Sequence, residues 1–138
     1  MMRYFVAALV IFGCFNTALA IDWPTYRADE ARSGYTSEAF PNQVKLRWVH
    51  RTVHAPRPAW SMSQRMHFDQ AFQPIIIGDA VLFGSSADDT VVAIDARSGR
   101  VKWTFLTEGP VRFAPAGWRD RVFVASDDGW MYALSLDD

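Results

Sequence analysis

Two acidic pairs, Asp88-Asp89 and Asp127-Asp128, are the most conspicuous groups in the chain that could do chemistry. Adjacent carboxylates can hold calcium, but an EF-hand loop alternates its ligands and closes on a glutamate at its twelfth position. Neither pair has that spacing, and both stand between apolar runs, so they read as solvated turn residues. His50, His54 and His67 fall in one segment. His50 and His54 would share a face on a helix, yet Pro56 and Pro58 oppose a helix there, and no fourth ligand stands at a zinc-like spacing. The chain has no Gly-rich phosphate loop and no G-x-S-x-G nucleophile elbow. Catalytic, cofactor and metal residues are therefore assigned nowhere. One segment remains a candidate for binding. Arg57, Trp60, Arg65 and Phe68 bring cationic and aromatic groups together, either as a ligand-facing insertion or as cover for a core at an open end.

The elements that must position these groups begin after a targeting segment. Met1, Met2 and Arg3 form a short positive start, and residues 4–15 are almost wholly apolar. Ala18-Leu19-Ala20 then supplies the small residues of an A-x-A cleavage site. Residues 1–20 thus read as a signal peptide, with Ile21 as the mature start. The apolar run is too short for a spanning helix, which needs about 20 residues. An uncleaved anchor is one alternative, and lipid attachment at Cys14 is another, opposed by the bulky Phe12.

Cleavage takes away one charge, Arg3, and leaves 118 residues with 13 basic and 15 acidic side chains, a net of −2. That balance excludes a basic nucleic-acid footprint and offers no polybasic membrane patch. Cys14, the only cysteine, leaves with the signal peptide, so the mature chain has neither disulfide nor thiol nucleophile. The expected location is periplasmic or otherwise extracytoplasmic, with no stable membrane span after cleavage.

From Phe72 onward the sequence repeats. Phe72-Gln73-Pro74 returns as Phe113-Ala114-Pro115, 41 residues later, and Asp79, Val81 and Ser85 fall on Asp120, Val122 and Ser126. After a one-residue deletion Asp88 falls on Asp128 and Ala93 on Ala133, with Leu82/Phe123, Val91/Met131 and Ile94/Leu134 as apolar matches. A period near 40 is the length of a four-stranded propeller blade. Residues 80–84, 90–95 and 100–107 are rich in β-branched and aromatic types and read as strands, as do 121–125 and 130–135. Asp-, Ser- and Gly-containing turns separate them. The fold class expected is all-β: four-stranded antiparallel blades, about two of them, in an incomplete propeller.

Lys45-Leu46-Arg47-Trp48 has the pattern of Arg100-Val101-Lys102-Trp103, so residues 44–50 read as the outer strand of a preceding blade. The two tryptophans are 55 residues apart, more than one period, which makes 51–71 an insertion loop. The expected organisation is then a signal peptide (1–20), an extended segment (21–43), the outer strand (44–50), the insertion (51–71), a complete blade (72–107) and a partial second blade (108–138).

Ala93-Ile94-Asp95-Ala96-Arg97-Ser98-Gly99-Arg100-Val101-Lys102-Trp103 resembles the A-x-D-x-x-[ST]-G-x-x-x-W blade motif of pyrroloquinoline-quinone-type propellers. In that motif Asp95 can cap the turn, Gly99 can take the left-handed conformation, and Trp103 can pack between blades. Ala93, Asp95, Gly99 and Trp103 are accordingly the structural blade motif. Asp22-Trp23-Pro24-Thr25-Tyr26-Arg27-Ala28-Asp29 looks like the start of large exported bacterial proteins with this propeller.

The resemblance covers essentially all of the mature chain. It does not settle function, since quinoprotein alcohol dehydrogenases and barrel-assembly lipoproteins share the repeat. A closed propeller needs at least four blades, about 165 residues, more than this chain holds. Quinone enzymes also use a cysteine pair, a tryptophan floor and calcium ligands. The mature chain has no cysteine, and no calcium set can be assigned, so no cofactor is expected. The reading is a non-catalytic module for binding or scaffolding, partnered by another protein or by the missing blades of its own propeller. The alternatives are the first piece of a quinoprotein dehydrogenase and a shortened reading frame without function.

Overall fold

The computed structural model describes residues 21–59 and 70–137. Trp60 and Arg65 of the proposed insertion, Phe68, His67 and the signal segment lie outside them.

The first blade follows from alternation of small turn residues with β-branched runs. Strands β1 (Ile75–Ile77), β2 (Ala80–Ser85), β3 (Thr90–Asp95) and β4 (Val101–Leu106) pair antiparallel with their sequence neighbours in the order β1-β2-β3-β4. The β3–β4 hairpin turns on Asp95. Its Oδ1 accepts from the Ser98 N–H and Oγ, both at 2.6 Å, and from the Arg97 N–H at 3.1 Å. Gly99 closes the turn at φ +73°, a conformation a side chain disfavours. Just beyond the turn the ladder slips. Ala93 faces Trp103 but Ile94 faces Val101, so Lys102 is bulged out, where its Nζ reaches Asp79 at 3.0 Å.

The second sheet holds β5 (Ala116–Trp118), β6 (Arg121–Ala125) and β7 (Met131–Ser135), again antiparallel in chain order. Among the described residues there is no helix, so none is long and apolar enough to cross a membrane.

The sheets stack face to face. Ile75, Ile77, Leu82, Val91 and Ala93 of the first pack on Val111, Val122 and Val124, all buried, with Leu134 partly buried beside them. Each fully buried aliphatic side chain contributes roughly 1.5–3 kcal/mol by leaving water. Phe105 of β4 meets Tyr132 of β7 edge to face at 5.2 Å between centroids. Contact is close enough that a Cβ on Gly84 would stand 2.1 Å from Val111 Cγ1. The missing side chain at Gly84 leaves the room that Val111 occupies.

The opposite face of the first sheet carries Phe83, Val92 and Ile94, with Trp48, Phe72 and Val81 against them. Residues 44–50, expected as an outer strand, form no strand. A strand needs a ladder partner, and among the described residues none pairs with this segment.

Candidate interaction surface

The first element of the surface is the way the blades are fastened. Trp103 Nε1 donates to the Leu136 carbonyl at 3.0 Å, and Trp48 Nε1 donates to the Ala96 carbonyl at 2.9 Å. Ala96 and Leu136 are 40 residues apart, the same repeat position in successive blades. Trp48 therefore uses on the first blade the contact that Trp103 uses on the second, although no strand forms around it. Its ring lies against the hairpin, where a Cβ on Gly99 would come within 2.7 Å. Ala93, fully buried, sits opposite Trp103 in the β3–β4 register. The structure thus gathers Ala93, Asp95, Gly99 and Trp103 around one hairpin.

His54 and Arg57 belong to a strap across the two blades. His54 Nδ1 lies 2.6 Å from Asp88 Oδ1 in the β2–β3 turn. The Arg57 N–H donates to Ser86 Oγ at 2.8 Å, and the Arg57 carbonyl accepts from Arg112 Nη1 at 2.7 Å. Arg112 Nε in turn donates to Asp127 Oδ2 at 2.6 Å. Arg57 is thus fixed by its backbone, and the residue is exposed. His50 stands edge-on to Phe83, 5.8 Å between centroids. Among the described residues no three of His, Cys, Asp and Glu gather as a metal site would require.

The acidic pairs do more than face water. The hydrogen bond from His54 holds the Asp88 carboxyl below the usual range, against the opposing effect of burial. Ser85 Oγ adds a second bond to Asp88 at 3.0 Å. Asp128 accepts from Tyr132 Oη at 2.7 Å and from the Trp130 and Glu108 N–H groups. The bond from Tyr132 raises that hydroxyl's pKa above its ordinary value. These carboxylates hold turns together. Sequence reasoning missed the His54–Asp88 and Arg112–Asp127 partners, since pairs 34 and 15 residues apart leave no periodic trace.

It also missed a latch at the start of the described chain. Trp23 and Ile76 exchange backbone hydrogen bonds of 2.8 and 2.9 Å on the free edge of β1. The Gly78 N–H donates to Asp22 Oδ1, and the Gly117 N–H of the second sheet donates to the Pro24 carbonyl at 2.6 Å. Three consecutive residues thus cover an edge and join two blades. Pro24, which has an acceptor but no donor, fits a position that only accepts.

The outward face of the second sheet is open. Trp118 is 60% exposed and Met131 73%, and at the sheet's ends Trp130 and Phe113 are also exposed. The Arg119 guanidinium lies over the Trp118 ring, 4.0 Å from its centroid.

Antiparallel blades stacked face to face and fastened by a repeated tryptophan-to-carbonyl bond define a β-propeller repeat chain. The family model described as outer membrane protein assembly factor BamB matches residues 48–138, and the chain belongs to this family of pyrroloquinoline-quinone-like propellers. Among solved structures, BamB from Moraxella catarrhalis is similar at 22% identity and a TM-score of 0.40, over 44% of this chain and 18% of that one. The chain matches less than a fifth of that structure's length. No curated protein matches the chain significantly.

Proposed function

We propose that this chain is an exported, non-catalytic propeller module that works by binding or scaffolding, and that the outward face of its second sheet is the contact surface. The observation that supports this is the contrast at equivalent repeat positions. Ile77 and Val91 are buried under the neighbouring sheet, while their repeats Trp118 and Met131 face solvent. In the first interface a face of this kind receives Val122 and Val124 of the next sheet. The occupant that fits is a further blade of the same repeat, from the missing part of this propeller or from a partner protein. Residues 72–107 then act as the complete blade, 108–138 as the partial one, and 51–71 as the insertion, of which His54 and Arg57 strap the two together. Export rests on the signal-like residues 1–20, and an extracytoplasmic role agrees with a family named for outer membrane protein assembly.

A photo-crosslinking residue at Met131 of the exported chain tests the reading. Adducts to a β-propeller chain at position 131, and none at the exposed hairpin residue Arg97, are expected. Equal yields at the two positions, or none at Met131, contradict it.

A further inference from the structure

The described chain opens on a contact that export processing would change. The Ile21 N–H donates to Glu38 Oε1 at 2.7 Å. Ile21 is also the residue that follows the A-x-A site, directly before the Asp22-Trp23-Pro24 latch. We infer that signal cleavage converts the Ile21–Glu38 hydrogen bond into an ion pair, which closes residues 21–38 into a loop and tightens the latch on β1 and β5.

The inference rests on the export reading, and its chemistry is simple. An endopeptidase of the signal-peptidase class adds water across the Ala20–Ile21 peptide bond. Ala20 leaves as a carboxylate and Ile21 gains an α-amine. The ordinary α-amino pKa is about 7.7–8.0, so near neutral pH this amine takes up a proton. A neutral donor with one hydrogen becomes an ammonium with three, already at hydrogen-bond distance from a carboxylate. Charge-assisted bonds of this kind are roughly twice as strong as neutral ones.

The surroundings favour the positive charge. The residues lining the hollow beside Ile21 include Asp22, Asp29, Glu38 and Tyr35, with no Lys or Arg among them. Of the two cations on the segment, Arg27 and Arg32, Arg27 bonds the Ser33 carbonyl and lies against Gly34. Asp22 is itself tied to the Gly78 N–H, so Glu38 is the partner at hand. The position is exposed, and the effect is accordingly modest.

The test compares a chain beginning at Ile21 with one carrying an extra glycine before it, each with Glu38 and with Glu38→Gln. Two readouts are followed: α-amine titration by NMR, and hydrogen exchange of the Trp23 and Ile76 amides. In the Ile21-start chain the amine should titrate a few tenths of a pH unit above its value in the E38Q variant, roughly what an exposed pair gives. The latch amides should exchange about two-fold slower than in the glycine-extended chain, a difference that E38Q removes. Identical titration with and without the E38Q substitution, or latch exchange that ignores the added glycine, overturns the pair. The intact mass of exported protein tests the processing step separately. A species starting at Ile21 supports it, and one starting at a lipid-modified Cys14 or at Met1 overturns it whatever the recombinant chains show.

Discussion

The two sheets carry the same repeat and meet different fates. Ile75, Ile77, Leu82, Val91 and Ala93 line the face of the first sheet that packs on the second, and all are buried. Their repeats are Ala116, Trp118, Phe123, Met131 and Ala133, none of them buried. The sharpest pair is Val91, fully buried, against Met131, 73% exposed. Strand pairing is alike in the two sheets, so backbone conformation is set locally while burial is set by what stands opposite. Gly84 makes the same point. It has no room for a Cβ under Val111, whereas its repeat, Ala125, is an exposed residue with a side chain. A repeat protein stabilises itself largely through such interfaces between neighbours.

The widest separation expected between the two faces comes from charge. Val91→Asp buries an unpaired carboxylate and should cost at least about 3–5 kcal/mol or prevent folding. Met131→Asp, at the equivalent position, should stay within about 0.5 kcal/mol, as exposed substitutions do. Urea titrations of both variants measure the difference, and equal losses would erase the distinction between the faces.

The tryptophans sharpen the comparison at the next level. Trp103→Ala removes a half-buried ring and the bond to Leu136, and should cost about 2–3 kcal/mol. Trp48→Ala removes the matching bond from a segment outside any sheet and should cost less, about 1–2 kcal/mol. Denaturant midpoints at unchanged slope provide the check.

A smaller effect is pH-dependent. The Asp88 pKa is depressed in the folded chain, chiefly by the bond from His54. Its contribution is therefore present above the unfolded value of about 3.9 and is lost as pH falls through the folded value. Asp88→Asn should destabilise the strap at neutral pH, and the gap from the unaltered chain should narrow below about pH 4. Thermal melts across that range follow it. The smallest expected effect is none at all. Calorimetric titration with pyrroloquinoline quinone and calcium should give no saturable heat, because the cysteine pair of the quinone enzymes has no counterpart after Cys14.

Much of this fold was legible because it is local. The 41-residue offset aligned Val81 with Val122, and the Asp95–Gly99 spacing marked the hairpin between β3 and β4. Residues 44–50 show where pattern fails. Their basic–apolar–basic–Trp sequence matches a strand, but a strand exists only where a ladder partner does, and what survives is the docking of Trp48. The latch at Trp23 and the strap at His54 were invisible for a related reason: each is made by segments far apart in the chain, with no period to betray them. Openness of the second sheet was equally hidden, because Met131-Tyr132-Ala133-Leu134 is apolar on both of its faces.

An exposed apolar face such as Trp118–Met131, if a blade-like neighbour covers it as proposed, should drive association. Sedimentation velocity of the chain from Ile21 across micromolar concentrations, beside Met131→Asp, is the decisive measurement. Concentration-dependent association of the unaltered chain and a monomeric variant with an unchanged melt are expected. A sharp monomer for both chains, melting cooperatively above about 50 °C as an ordinary complete domain does, would contradict it.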